Sequence, residues 1–175
     1  MGVPRIHDPV MLIAGLIGSA DLFPPVRAQL AELWGPLVAQ SECIPFDFTE
    51  YYAAEMGAGL QRQFLAFAAR IRPEALAQIK HETNRLEQAY ISGGARRINI
   101  DPGYLTVAKL VLASTKDHQH RVYIGDGMFA EVTLRFRNKS FIPWEWTYPD
   151  YRSKTAIDFF NGVRETARRE QQPDV

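Results

Sequence analysis

The run Val10-Met11-Leu12-Ile13-Ala14-Gly15-Leu16-Ile17 contains no polar side chain and is closed by Gly18-Ser19. It is far short of the roughly 20 residues needed to span a bilayer. A short apolar run bounded by a turn signal fits a strand buried on both faces, which commits the chain to folding around a sheet. Ser19 or Asp21 can cap a following helix, with Pro24 and Pro25 in its first turn, where a missing N–H breaks no helical bond. Val26, Leu30, Leu33 and Trp34 fall on one face of that helix, and Gly35-Pro36 stops it.

Val38 to Phe48 reads as a second strand with Pro45 near its end, and Gly57 and Gly59 punctuate the next segment. Arg62 to Ile71 reads as a third strand, because Phe64, Leu65 and Phe67 suit a sheet. Pro73 then stands at a first helical position. Leu76, Ile79, Thr83, Leu86 and Tyr90 recur at helical spacing up to the stop at Gly93-Gly94. Arg96 to Ile100 is a fourth strand with Ile98 and Ile100 on one face. This order is that of a ferredoxin-like βαββαβ sandwich, four antiparallel strands covered on one face by two helices.

The expected fold is therefore α+β, a ferredoxin-like core over about residues 8–100 with a C-terminal β-hairpin extension and a final helix. In the extension, over about 101–151, Thr106 is expected to cap a short helix running through Ala113. Arg121 to Ile124 and Phe129 to Arg137 alternate and flank Gly125-Asp126-Gly127, a hairpin signal. Asn138-Lys139 offers another turn before Phe141. The last helix, about 153–169, starts near Ser153, turns Ile157, Phe160 and Val163 inward, and ends on Arg164, Arg168 and Arg169, which suit the helix dipole. No Ser/Gly/Pro linker divides the chain, so 1–175 reads as a single domain.

Lys+Arg and Asp+Glu both total 20, and this balance argues against non-specific binding to a nucleic-acid backbone, which needs cations to neutralise phosphates. Cys43 is the sole cysteine, which excludes an internal disulfide and a Cys-based zinc cluster; beside Ile44 it reads as a small buried residue. The apolar run lacks the basic leader and cleavage site of a signal peptide, and Ile6 stands where a myristoylation site wants Ser or Thr. The chain reads as cytoplasmic, with no membrane attachment, and nothing in it fixes an oligomeric state or a cofactor.

Function is expected on the polar, turn-punctuated stretch from Asn99 to Tyr151. Asp101-Pro102-Gly103-Tyr104-Leu105-Thr106 lies between a predicted strand and a predicted helix, where free N–H groups can face an anion and Lys109 can add charge. The same Asp-Pro-Gly is also ordinary turn chemistry. Ser114-Thr115-Lys116-Asp117 is similar to the guanine-reading Lys-x-Asp of GTPases, but Lys116 and Asp117 are adjacent and point to opposite sides of an extended chain. No Gly-Lys-Ser/Thr follows the N-terminal strand either, so a GTPase is excluded.

His118-Gln119-His120, with Asp126 or Glu131 as an oxygen donor, is too little to assign a metal site. Carboxylates are plentiful at Asp47, Glu50, Glu55, Asp101, Asp117, Asp126 and Glu131. A buried Glu131 would suit acid–base work; alternatively it pairs with Arg121 or Lys116 across the hairpin. Aromatic residues gather at Phe46, Phe48, Tyr51 and Tyr52, and again at Phe141, Trp144, Trp146, Tyr148 and Tyr151. They serve either as core packing or as a stacking platform.

Several strings are unusual enough to carry a resemblance. They are Pro45-Phe46-Asp47-Phe48-Thr49 with Tyr51-Tyr52 and Glu55-Met56-Gly57, Asn99 to Leu105, Lys109 to Asp117, and His120-Arg121. Gly125-Asp126-Gly127, Ala130-Glu131-Val132-Thr133 and Trp146-Thr147-Tyr148-Pro149-Asp150-Tyr151 continue it. Over nearly its whole length the chain resembles the bacterial domain-of-unknown-function family 4416, from which His118 is a departure. The resemblance implies no activity, ligand or catalytic residue.

The reading that results is a binding or catalytic domain for a small anionic or nucleotide-like molecule. Asp47, Asp101, Gly103, Tyr104 and Thr106 would shape its site, and Lys109, Lys116 and Arg121 would neutralise charge. Asp126 or Glu131 would be the acid–base residue. The alternative is an RNA- or protein-interaction module using the sheet face and the segment Phe141 to Tyr151. A pocket where Asp47, Asp101, Lys109, Lys116 and Glu131 converge favours the first; a flat face exposing Trp144, Trp146 and Tyr148 favours the second.

Overall fold

The computed structural model describes residues 2–48 and 52–171, so Glu50 and Tyr51 lie outside the described residues. In chain order the first half runs β1 (Val10–Gly18), α1 (Phe23–Trp34), β2 (Leu37–Gln40), β3 (Ile44–Pro45), α2 (Ala53–Met56), β4 (Gln61–Ile71) and α3 (Leu76–Ala89). The second half runs β5 (Ile98–Leu105), β6 (Lys109–Ser114), β7 (Val122–Gly125), β8 (Met128–Arg137), β9 (Ser140–Pro143) and α4 (Lys154–Gln171). The strands form one antiparallel sheet in the order β2-β4-β1-β5-β6-β8-β7, with β3 also on β4 and β9 on β8.

β1 is buried at every residue, as its apolar run requires, because it lies between β4 and β5 with a layer on each face. Leu12, Ala14 and Leu16 pack with Phe23, Val26 and Leu30 of α1 and Ile79 of α3. Met11 and Ile13 face the other way, onto Phe64, Ala66 and the α4 residues Ala156, Phe160 and Val163. The expected helix faces are largely formed. Leu33 is the exception: it is exposed, and only Val26, Leu30 and Trp34 of its set reach the core.

The expected second strand is broken. β2 and β3 pair with β4 on either side of Ser41-Glu42-Cys43, where Ser41 keeps contact by accepting the Phe64 N–H on its Oγ at 2.9 Å. Cys43 lies in that interruption and is exposed, not buried as expected.

The larger correction concerns residues 101–113. The expected turn at Asp101-Pro102-Gly103 is the interior of β5, and the expected helix through Ala113 is β6. Leu110 and Leu112 pack in the α4-side core while Val111 and Ala113 pack with Leu76, the alternation of a strand covered on both faces. Thr106 does act as a cap, accepting the N–H groups of Ala108 and Lys109 at 3.1 Å, but it closes a β5–β6 hairpin. The same side-chain chemistry serves either turn.

Pro102 and Gly103 are tolerated in a central strand for separate reasons. β5 and β6 pair only over Gly103–Leu105 against Leu110–Leu112, so the sheet opens beside residues 98–102. The Ile100 N–H and C=O point into that opening, and Pro102, two residues on, faces the same side, so its missing N–H removes no ladder bond. Gly103 sits where the strands meet: a Cβ there would lie 2.3 Å from the Val111 carbonyl oxygen.

The hairpins behave as expected. Gly125, Asp126 and Gly127 have φ of 101°, 51° and 73°, and Asn138-Lys139 both adopt positive φ, the requirement of a tight two-residue turn. The Ser153 Oγ accepts the Ala156 N–H at 3.2 Å and so caps α4.

Two glycines give opposite expectations. Gly103→Ala should lower stability by about 1–3 kcal/mol, because the atom it meets is backbone. Gly162→Ala, in α4 with no described atom within 4 Å of the added Cβ, should raise it by up to about 1 kcal/mol. Urea unfolding of both variants against the parent checks the pair; equal effects would contradict the strand assignment of residues 101–105.

Candidate functional site

Where β5 and β6 part, a cavity of about 490 Å³ opens. Its walls follow from the split. A strand edge inside a protein needs partners for its peptide groups, and α3 supplies them with side chains. Glu87 accepts the Ile100 N–H at 2.8 Å, and Lys80 donates to the Ile100 C=O at 2.8 Å. Both side chains are buried. Arg96 binds Glu87 at 2.9 Å, clasps Glu55 with two bonds of 2.9 Å, and donates to Asn99 Oδ1 at 3.1 Å.

Arg62 of β4 is the floor. It is 1% exposed, and its guanidinium pairs with Asp101 at 3.0 Å and with Asp150 at 2.9 Å. The Tyr151 and Phe64 rings flank it, with centroids 4.7 and 5.0 Å from its central carbon. Asn99 donates to the second Asp101 oxygen at 3.0 Å. Gly15 of β1 makes this packing fit, because a Cβ there would lie 2.7 Å from the Tyr151 hydroxyl and 2.9 Å from the guanidinium carbon. The Tyr151 hydroxyl is buried with no hydrogen-bond partner among the described residues.

These contacts divide the two aspartates. Burial alone would raise the Asp101 carboxyl, but Arg62, Lys80 and Asn99 together hold it below the usual carboxylate range. Burial raises the Asp150 carboxyl, with Asp101 adding to the rise against the pull of Arg62. Burial also pushes the Tyr151 phenol well up.

The opposite wall is Glu131 of β8, 4% exposed. It pairs with Arg121 at 2.7 Å, lies 3.1 Å from His120 Nε2, and accepts from Thr133 at 3.2 Å. Arg121 also donates to Ser114 Oγ at 2.8 Å and to the Lys116 carbonyl at 3.0 Å. Exposed Lys116 and Tyr148 stand at the rim with half-buried Tyr52. Burial lifts the Tyr52 phenol above its ordinary range.

Of the residues singled out by sequence, Asp101, Lys116, Arg121 and Glu131 line this cavity. Gly103, Tyr104, Thr106 and Lys109 lie farther along the β5–β6 hairpin, outside the lining. Asp47 is exposed on the segment after β3 and does not line it either. Asp126 is at the β7–β8 hairpin tip, its carbonyl 2.9 Å from His81 Nε2. Arg62, Lys80, Glu87, Asn99, Asp150 and Tyr151 were missed as site residues. Lys80 and Glu87 did leave a signal: with Leu76 and Thr83 they occupy the inward face of α3, where a charge demands a partner.

The aromatic segment is packed against itself and its neighbours. Trp144 stacks on Trp146 at 5.0 Å, Trp146 on His120 at 5.5 Å, and Arg135 lies 3.9 Å over Trp144. Trp146 donates its indole N–H to the Val132 carbonyl at 3.1 Å. No three His, Cys, Asp or Glu side chains gather as a metal site would need, and no helix is long and apolar enough to cross a membrane, among the described residues.

The floor makes a stability prediction. Arg62→Met should cost about 3–5 kcal/mol, because it strands two carboxylates beneath the sheet. The loss should shrink as pH falls and the carboxylates take up protons. Urea unfolding at pH 7 and at pH 4 checks it; a loss independent of pH would contradict the ion-pair account.

Neither a comparison with curated proteins nor one with solved structures returns a match. A family model described as "Domain of unknown function (DUF4416)" matches residues 8–166, nearly the whole chain. The split sheet, with the Arg62 floor and the Glu131 wall, is thus the geometry of a member of that family: the chain belongs to DUF4416.

Proposed function

We propose that this protein binds a small ligand with an anionic, nucleotide-like character in the cavity between β5 and β6. One observation carries the reading: a concave site of about 490 Å³ in which polar groups from four parts of the sheet converge around the buried Tyr151 hydroxyl, which has no hydrogen-bond partner among the described residues. That volume is in the range of small-molecule sites. An unpartnered buried hydroxyl carries a desolvation penalty that a bound ligand removes. Ser114, Thr115, Lys116 and Arg121 form the side that would receive the anion, and Asp101 at the floor faces it. Glu131 is on the wall and remains the acid–base candidate if the ligand is turned over; Asp126, away from the lining, is the weaker one.

We also read β1-α1-β2-β4-α3-β5 as a ferredoxin-like core. The strand order β2-β4-β1-β5, antiparallel throughout and with α1 and α3 on one face, supports that reading. The residues from β6 onward are then an extension of the same domain, and the cavity opens at the junction. Against an interaction surface at residues 141–151 stands the packing of Trp144 and Trp146, each half-buried, which leaves Tyr148 as the exposed ring of the three named for it.

A thermal-shift series with inorganic phosphate, nucleoside monophosphates and sugar phosphates tests the reading, since a ligand bound only by the native state raises the melting temperature. At least one of the organic phosphates should raise it in a saturable way. Lys116→Glu should weaken that compound by about tenfold, or about 1.4 kcal/mol. No shift with any of them, or equal binding by the variant, would overturn the proposal.

A further inference from the structure

The floor and far wall of the cavity hold their charges in pairs, Arg62 with Asp101 and Asp150, and Arg121 with Glu131. A charged ligand group seated at the floor would have to compete with such a pair, because a charge out of water needs its own partner. What the floor leaves open is hydrogen-bonding capacity. Tyr151 is 1% exposed and lines the cavity, and its hydroxyl has no hydrogen-bond partner among the described residues. Asp101 lines the cavity beside it. Each of its oxygens accepts one bond, from Asn99 and from Arg62, and each keeps a second lone pair.

That capacity is for both accepting and donating. Against the effect of burial, Arg62, Lys80 and Asn99 keep Asp101 ionised, so it can only accept. Burial biases the neighbouring Asp150 towards the protonated form, in which it can donate. Burial also keeps the Tyr151 phenol neutral, and its O–H can donate or accept. An ammonium group only donates and an ionised phosphate only accepts, so neither serves all three. A hydroxyl donates and accepts from one oxygen and, being neutral, is far less costly to bury than an ion. Asp101 and Tyr151 are held side by side on the Arg62 guanidinium, the first at 3.0 Å and the second with its ring centroid 4.7 Å from the central carbon. Hydroxyls of one small molecule can therefore serve both.

We propose that the floor holds the hydroxyl-bearing part of the ligand, a sugar or other vicinal diol, through hydrogen bonds to Asp101 and to the Tyr151 hydroxyl. This rests on the small-ligand reading above and deepens it, because the ligand class narrows to acidic sugars whose acidic group lies on the Ser114–Arg121 side. The site then selects a hydroxylated acid over the same acid stripped of its hydroxyls. Two sources share the required chemistry: a free sugar phosphate, and the ribose of a nucleotide.

Calorimetric titration of the full chain with two matched pairs tests the proposal: ribose 5-phosphate against 2-deoxyribose 5-phosphate, and adenosine 5′-monophosphate against its 2′,3′-dideoxy analogue. In at least one pair the fully hydroxylated member should bind about tenfold or more tighter, because the analogue leaves buried polar groups of the site unpaired. The pair that shows the difference identifies the source. Tyr151→Phe, which removes one oxygen and keeps the ring over Arg62, should shrink that preference by about threefold or more. Equal affinity within both pairs, or a preference that Tyr151→Phe leaves intact, would overturn the inference and leave the small-ligand reading standing. The comparison within each pair uses the parent protein, so it decides the matter even if the variant does not fold. Binding by none of the four overturns the inference, and the small-ligand reading falls with it only when the thermal-shift series is blank as well.

Discussion

The Arg62 guanidinium holds together what the rest of the site needs to be in place. It comes from β4, its two carboxylates from β5 and from the turn before α4, and its stacking partner Tyr151 from that same turn. A fully buried cation tolerates no loose partner, because each lost contact leaves charge in a poor solvent. This one group therefore fixes where residues 149–152 cross the sheet, and with them the start of α4. Gly15 is the corresponding steric condition: only a residue without a Cβ lets Arg62 and Tyr151 meet over β1.

The split between β5 and β6 is the second condition. Sheets are normally closed by backbone, but here Lys80 and Glu87 take the two hydrogen bonds that a neighbouring strand would make with Ile100. Side chains on a helix stand farther from a strand edge than another strand would, and the space gained is the cavity. β6, β8 and the Glu131–Arg121 pair then form the far wall.

Much of the fold was legible because it depends on local pattern. β1 announced itself by an apolar run, α3 by its period with Pro73 and Gly93-Gly94 at its ends, and two hairpins by residues that adopt positive φ. Residues 101–113 were not legible, because Asp-Pro-Gly and Thr106 carry the same local chemistry in a turn, a helix cap or an interrupted strand. What decided between them was tertiary: a missing neighbour beside Pro102 and a close crossing at Gly103. The site was half legible for a related reason. Asp101, Lys116, Arg121 and Glu131 stood in a polar stretch, whereas Arg62, Lys80 and Glu87 were concealed inside segments read as core, and Asp150 and Tyr151 in a segment read for its aromatic rings.

The most direct test of the central claim is a map of where a ligand touches. Two-dimensional amide NMR of the labelled protein, titrated with the organic phosphate that gives the largest thermal shift, reads every described wall at once. The account predicts shifts concentrated at residues 99–102, 114–116, 121, 131 and 150–151, the two sides of the split. Shifts confined to Trp144, Trp146 and the exposed β7 edge, or none at saturating concentration, would contradict it.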